Sequence, residues 1–259
     1  MLGIVVRRVA AATLAALALA APAAQAAEKP VVTVFAAASL REAFDAAGPA
    51  FTRATGYPVR FSFAGSDTLA TQIAQGAPAD VLVAASAVPM QKITALLDRP
   101  RTLAHNRLVV IAPQNDRAVV QLVDLAKPRV KVVLAAPTVP AGAYARRTLA
   151  ALARDRAYGA DFAERVNANV VSEETDVKAV ATKIVLGEGD AGIVYVTDVT
   201  PAVAVKVRVL RFPPGAAPEA AYPIAAVNAA PNPDGARAFV AFITSAAGRA
   251  FLKARGFEE

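Results

Sequence analysis

The sequence has no cysteine, no tryptophan and a single histidine among its 259 residues. Without cysteine it can form no disulfide and carry no lipid on an N-terminal cysteine, so a hydrophobic core must stabilise the fold. Zinc sites take several cysteine or histidine ligands, and this composition argues against one. The single histidine, His105, precedes a strand pattern, and we interpret it as a loop or surface residue.

Sequence motifs of catalysis are also missing. There is no G-x-S-x-G nucleophile elbow, no P-loop and no G-x-G-x-x-G fingerprint. Glu173, Glu174 and Asp176 are close enough in sequence for acid–base chemistry, but we interpret them as the solvated first turn of a helix, where acidic residues suit the dipole. We therefore expect no enzyme, no cofactor and no metal held directly by side chains.

A membrane span needs about 18 or more consecutive apolar residues. No segment after the N-terminal region has an apolar run of that length. The N-terminus combines Arg7 and Arg8 with an alanine-rich stretch at 9–21 and the small-x-small site Ala24-Gln25-Ala26. This pattern predicts a cleaved signal peptide at 1–26 and a soluble periplasmic protein. The arginine pair leaves twin-arginine export open, although its flanks favour the general route.

The net charge of +7 comes from scattered basic residues, and Arg146-Arg147 is the only later doublet. Nucleic-acid binding needs a basic stripe or patch, so we expect no nucleic acid as a partner. A mildly positive field favours a small anionic ligand.

Strand and helix patterns alternate along the chain, which predicts an α/β fold with mainly parallel sheets. Ser39 follows the first strand and has Glu42 three residues on, so we predict that it caps a helix in a capping box. The pattern also predicts a strand at 203–210 and one last helix at 234–253.

Small or hydroxyl residues stand at four predicted strand-to-helix turns: Ser39, Ser66, Ala141 and Val177. Helix N-termini offer unpaired N–H groups, and in open α/β sheets ligands bind at the carboxyl ends of strands. Tyr195 ends another strand, where core packing and ligand binding both remain open.

Five stretches carry a family resemblance: VFAAASL at 34–40, FAGSDTLA at 63–70, GAPAD at 76–80, VPAG at 139–142 and GIVY at 192–195. In this order they resemble the periplasmic molybdate-binding proteins of ABC importers, across nearly all of the mature chain. The resemblance implies a two-lobed, type II periplasmic-binding-protein fold with ligand in the inter-lobe cleft. We expect lobe one at 27–108 plus 222–259 and lobe two at 109–221, with crossings near 108–112 and 222–227.

The resemblance also implies how a tetrahedral oxyanion is held. The donors would be the hydroxyls of Ser39 and Ser66, the backbone N–H groups of Ala141 and Val177, and the Tyr195 hydroxyl. The ligand would be molybdate or tungstate, and the partner of a monomeric receptor would be an ABC importer permease. Asp67 departs from the small neutral residues usual beside the second serine, and we expect it to point at solvent.

Three other functions remain open at this point. A receptor for sulfate or phosphate is the nearest, since Asp67 could accept the proton of a phosphate ligand. An exported hydrolase would need a nucleophile–base pair, which His105 alone cannot complete. A regulatory domain of similar fold would need a DNA-binding segment in place of the signal peptide.

Overall fold

The computed structural model describes residues 28–259, and the predicted signal peptide lies outside the described residues. The strands are β1 (Val32–Ala37), β2 (Val59–Ala64), β3 (Val81–Val83), β4 (Arg101–Asn106), β5 (Leu108–Pro113), β6 (Val132–Ala135), β7 (Val170–Glu174), β8 (Ala191–Tyr195), β9 (Val207–Arg211) and β10 (Ala220–Ala226). The α-helices are α1 (Arg41–Thr55), α2 (Ser66–Ala74), α3 (Ala87–Gln91), α4 (Pro140–Leu152), α5 (Phe162–Ala168), α6 (Val177–Val185), α7 (Pro201–Ala204), α8 (Pro233–Thr244) and α9 (Ala246–Lys253).

Two five-stranded sheets form two α/β lobes, which confirms the predicted fold class. The first lobe has the strand order β2-β1-β3-β10-β4, and the second has β7-β6-β8-β5-β9. The prediction of mainly parallel sheets is wrong, because half of the strand pairings are antiparallel. The antiparallel pairings all involve β5 or β10, the strands that enter each lobe after the chain has crossed from the other.

Successive side chains of a strand point to opposite faces of the sheet, and in the inner strands of the first sheet both faces are buried. Val34 joins a cluster with Phe44, Phe51 and Phe239, whose rings meet edge to face at 5.2–5.7 Å. The next residue, Phe35, packs into a separate cluster on the other face. The larger cluster continues into the second lobe, which gives the two lobes a shared core.

Within residues 28–259 the chain crosses between the lobes twice. Only Arg107 separates β4 in the first sheet from β5 in the second, and residues 212–219 join β9 to β10. Leu108, which we expected to end lobe one, thus begins a strand of the second sheet. The expected division of the chain into lobes stays a proposal. Assigning each strand to its sheet would move the expected boundaries at 108 and 222 by one or two residues.

Three local predictions differ from the structure. The predicted strand at 203–210 begins at Val207, because Thr200 caps the short helix α7 by accepting from Val203 N. The predicted last helix breaks at Ser245, which is extended and whose hydroxyl caps α9. His105 is not in a loop but in β4, paired with Ala221 of β10. Among residues 28–259, no helix combines the length and apolarity needed to cross a membrane.

Candidate functional site

A cavity lies between the lobes, bounded by turns that follow strands of both sheets. Its space amounts to about 220 Å³, counting the open mouth. The room for water-sized groups inside it is only about 10 Å³, so the cavity suits a small ligand. The structure brings the five predicted site residues together around it, and all five are buried: Ser39, Ser66, Ala141, Val177 and Tyr195.

Two of these residues present backbone N–H groups at helix starts. Ala141 is the second residue of α4 and Val177 is the first of α6. The first N–H groups of a helix have no partner within it, so both remain available to an anion. Asp176 caps α6 through bonds from Lys178 N and Ala179 N, at 2.8 and 3.0 Å, and so leaves Val177 N–H unused by the cap.

Gly142 allows α4 to start this close to the end of β6. A Cβ atom at this position would lie 2.2 Å from the carbonyl oxygens of both Ala135 and Ala136. Since no other residue fits there without moving the backbone, Gly142 fixes where the N–H group of Ala141 points.

Ser66 begins α2, as its sequence position predicts. Its Oγ accepts a 2.9 Å hydrogen bond from Ala85 N, just after β3. A hydroxyl that accepts from a backbone N–H still has its own hydrogen to donate. Ser66 can therefore act as a donor toward the cavity.

The capping box predicted at Ser39 and Glu42 is wrong. A 3₁₀ turn at Ala38–Leu40 extends the helix start, so Ser39 lies inside that turn and forms no side-chain cap. Its Oγ instead lies 2.8 Å from the Tyr222 hydroxyl of β10. Glu42 is paired with Lys178 of the second lobe at 2.8 Å.

Tyr195 and Tyr222 meet behind the cavity, with ring centroids 5.7 Å apart at 67°. Burial raises the pKa of both phenols well above its ordinary value, so both keep their hydrogen near neutral pH. Within residues 28–259 the buried Tyr195 hydroxyl has no hydrogen-bond partner. Because Tyr195 also lines the cavity, its hydroxyl is available as a donor to a ligand.

The cavity wall holds neutral donors rather than cations. Among the described residues 28–259, no lysine, arginine or histidine lines it, and the one carboxylate of the lining, that of Asp176, uses Oδ1 to cap α6. Glu173 and Glu174, expected in a helical first turn, lie instead in β7. Within residues 28–259, no three histidine, cysteine or acidic residues come together as a metal site. The arrangement can hold a small anion through hydrogen bonds and helix dipoles.

The side chain of Asp67 does not point wholly at solvent, contrary to what we expected from the sequence. It is the second residue of α2 and does not line the cavity. Its Oδ1 is nevertheless buried, with no hydrogen-bond partner in the described part of the chain. The expectation is thus wrong for that oxygen, which faces Gly65 at the entrance to α2.

The lobes touch beside the cavity. Gly65 lies so close to Thr175 of the second lobe that a Cβ atom there would be 2.4 Å from the Thr175 carbonyl oxygen. Lys178 reaches Glu42 across the gap and lies 3.3 Å from Asp198 within its own lobe. The sequence pattern revealed none of these partners, since Lys178 and Glu42 are 136 residues apart.

Comparisons with known proteins show which proteins this chain is similar to. The family model described as bacterial extracellular solute-binding protein matches residues 32–258. The molybdate-binding protein ModA of Mycobacterium tuberculosis is 39% identical over 231 residues, 87% of this chain and 84% of the relative.

Two solved structures share the fold. The Azotobacter vinelandii periplasmic molybdate-binding protein has a TM-score of 0.76 and 18% identity, covering 88% of this chain and 99% of that one. The sulfate-binding protein SubI from Mycobacterium tuberculosis also has a TM-score of 0.76, with 20% identity, 88% of this chain and 86% of that one covered. At these identities the likeness extends to the fold alone.

Proposed function

The chain belongs to the family of bacterial extracellular solute-binding proteins, and we propose that it captures molybdate for an ABC importer. The observation that carries this proposal is the convergence of neutral donors from both lobes on one small cavity. Two serine hydroxyls, two backbone N–H groups and a tyrosine hydroxyl suit a tetrahedral dianion. The similarity to the mycobacterial ModA protein supports molybdate as that anion.

Neutral donors fit a transport role. They meet the charge of the dianion without a lysine or arginine that would have to lose its hydration shell. Binding between two lobes couples ligand capture to hinge closure, a change of shape that a permease can recognise. The protein would act as a monomer in the periplasm, without catalysis or a resident cofactor, and would accept tungstate as well as molybdate.

A sulfate receptor is the second candidate, because SubI shares the fold at the same TM-score as the molybdate-binding protein. Sulfate is also a tetrahedral dianion, so the charge of the ligand does not separate the two functions. The greater sequence similarity to ModA favours molybdate.

Calorimetric titration of the purified mature protein with molybdate, tungstate, sulfate and phosphate tests the proposal. We expect molybdate to bind in a one-to-one ratio and more tightly than sulfate or phosphate. A protein that binds sulfate or phosphate as tightly as molybdate would instead be a receptor for another oxyanion.

A further inference from the structure

A buried hydrogen-bond chain leads from the cavity to the crossing between the lobes. Ser39 Oγ lies 2.8 Å from the Tyr222 hydroxyl, and Asn106 Nδ2 lies 3.3 Å from that same hydroxyl. Asn106 Nδ2 is also 2.8 Å from Thr197 Oγ1 in the second lobe. Asn106 Oδ1 accepts from Arg107 N at 2.9 Å.

The direction of this chain follows from its far end. A backbone N–H can only donate, so the Asn106 side-chain atom that faces Arg107 N must be the oxygen Oδ1, and the amide nitrogen must face Tyr222. An amide NH₂ group also only donates, so the Tyr222 oxygen accepts. The phenol hydrogen then goes to Ser39 Oγ.

The opposite direction between Ser39 and Tyr222 would be costly. If Ser39 donated, the phenol hydrogen of fully buried Tyr222 would have no acceptor among the hydrogen bonds of residues 28–259. A buried donor without a partner loses its hydration and gains nothing in return. Since Ser39 accepts from Tyr222, its own hydrogen remains for the cavity.

We propose that Tyr222 and Asn106 are positioning residues that fix Ser39 as a donor and so select a fully deprotonated oxyanion. This inference rests on the proposed function and names a basis for its specificity. Near neutral pH molybdate has no proton, whereas phosphate keeps one and needs an acceptor for it. Ser66 accepts from Ala85 N and is a donor for the same reason, so both serines disfavour the protonated ligand.

The ratio of molybdate to phosphate affinity tests this assignment at constant pH and ionic strength. Tyr222→Phe frees Ser39 to donate or accept, and we expect the ratio to fall about tenfold or more. Asn106→Asp replaces the donor with an acceptor and reverses the chain, so the ratio should fall further. In a Ser39→Ala background, Tyr222→Phe should leave the ratio nearly unchanged.

Thr197→Val is the matched control, because it removes the other bond of Asn106 Nδ2 and leaves Tyr222 in place. We expect it to keep the ratio within about twofold, whatever it does to stability. A purely structural role for Tyr222 would lower both affinities together and keep the ratio. Unchanged ratios in Tyr222→Phe and Asn106→Asp would overturn the proposal.

The unmodified protein gives a second test that does not depend on the folding of variants. If it binds phosphate as tightly as a fully deprotonated oxyanion, the assignment of Ser39 is wrong. If it binds sulfate rather than molybdate, the proposed function fails, and the ratio of sulfate to phosphate affinity tests the positioning residues in the same way.

Discussion

The Lys178 ammonium lies 2.8 Å from both carboxylate oxygens of Glu42 and joins the start of α6 to the start of α1 across the cleft. The two helices belong to different lobes, and both side chains are about a quarter exposed. The pair therefore forms where the lobes approach, beside the cavity rather than in it. We expect it to stabilise the arrangement in which the lobes lie together around the cavity.

Loss of this ion pair should weaken ligand binding modestly. Glu42→Gln keeps the shape of the side chain but removes its charge, so we expect about threefold to tenfold weaker molybdate binding. Titrations at low and high salt should show the difference shrinking as salt rises. Asp234→Asn is the control, because its pair with Arg237 is exposed within α8. Equal effects of both variants would contradict a role in closure.

The same lysine controls the ionisation of a buried acid. Burial raises the pKa of Asp198 to about 6, although the Lys178 ammonium and the Tyr195 N–H lower it. Since this pKa exceeds the ordinary value of 3.8 for an aspartate, the folded state holds the proton more tightly. The contribution of Asp198 to stability therefore declines as pH rises from about 4 to about 6.

Lys178→Met removes the cation that favours ionised Asp198. We expect the free energy of unfolding to drop by about 2 kcal/mol more at pH 8 than at pH 5, measured by urea denaturation. Lys183→Met is the control. Burial raises the pKa of its partner Glu174, but the hydrogen bonds from Lys183 and Ser172 and the charge of Lys183 together outweigh burial and lower that pKa. Glu174 is thus ionised at both pH values, and the control should show similar losses at each.

Gly65 tests whether the enclosed arrangement is needed for binding. Its φ of −60° suits any residue, but a Cβ atom would lie 2.4 Å from the Thr175 carbonyl oxygen in the other lobe. Gly65→Ala should therefore keep the lobes apart and weaken molybdate binding about tenfold or more. Thermal unfolding without ligand should change little. Wild-type affinity in this variant would show that the lobes need not approach this closely.

The two cavity serines should matter for binding and for stability. Ser39→Ala and Ser66→Ala should each weaken molybdate binding by about 1–3 kcal/mol, the cost of an unmade charged hydrogen bond. Ser66→Ala also leaves the Ala85 N–H unpaired, so we expect a loss of unfolding free energy of about 1–3 kcal/mol. Ser172→Ala, in β7 away from the cavity, should leave the affinity unchanged. A serine variant with wild-type affinity would exclude that hydroxyl from the site.

The sequence predicted the cavity residues because each follows a strand at a helix start or ends a strand. Such positions are visible in local patterns, as Ser66 and Val177 illustrate. The partner of Ser39 could not be predicted in this way, because Tyr222 is 183 residues away and sits in an ordinary strand pattern. The same local pattern predicted a capping box between Ser39 and Glu42. In the structure Ser39 instead contacts Tyr222 and Glu42 pairs with Lys178, both distant in sequence.

The selectivity between dianions should depend on size, because charge and shape are the same for sulfate and molybdate. The proposed donors lie on turns of both lobes, and close packing, such as that of Gly142 against β6, keeps their spacing from shrinking around a smaller guest. Sulfate has shorter bonds to oxygen, so it should leave about two donors unpaired at roughly 1–3 kcal/mol each. This predicts a preference for molybdate of about 30-fold to over 10,000-fold. Tungstate, nearly equal in size to molybdate, should bind within about tenfold of it. Competition titrations at equal ionic strength measure both ratios, and sulfate that displaces molybdate at equal concentration would refute a cavity of fixed size.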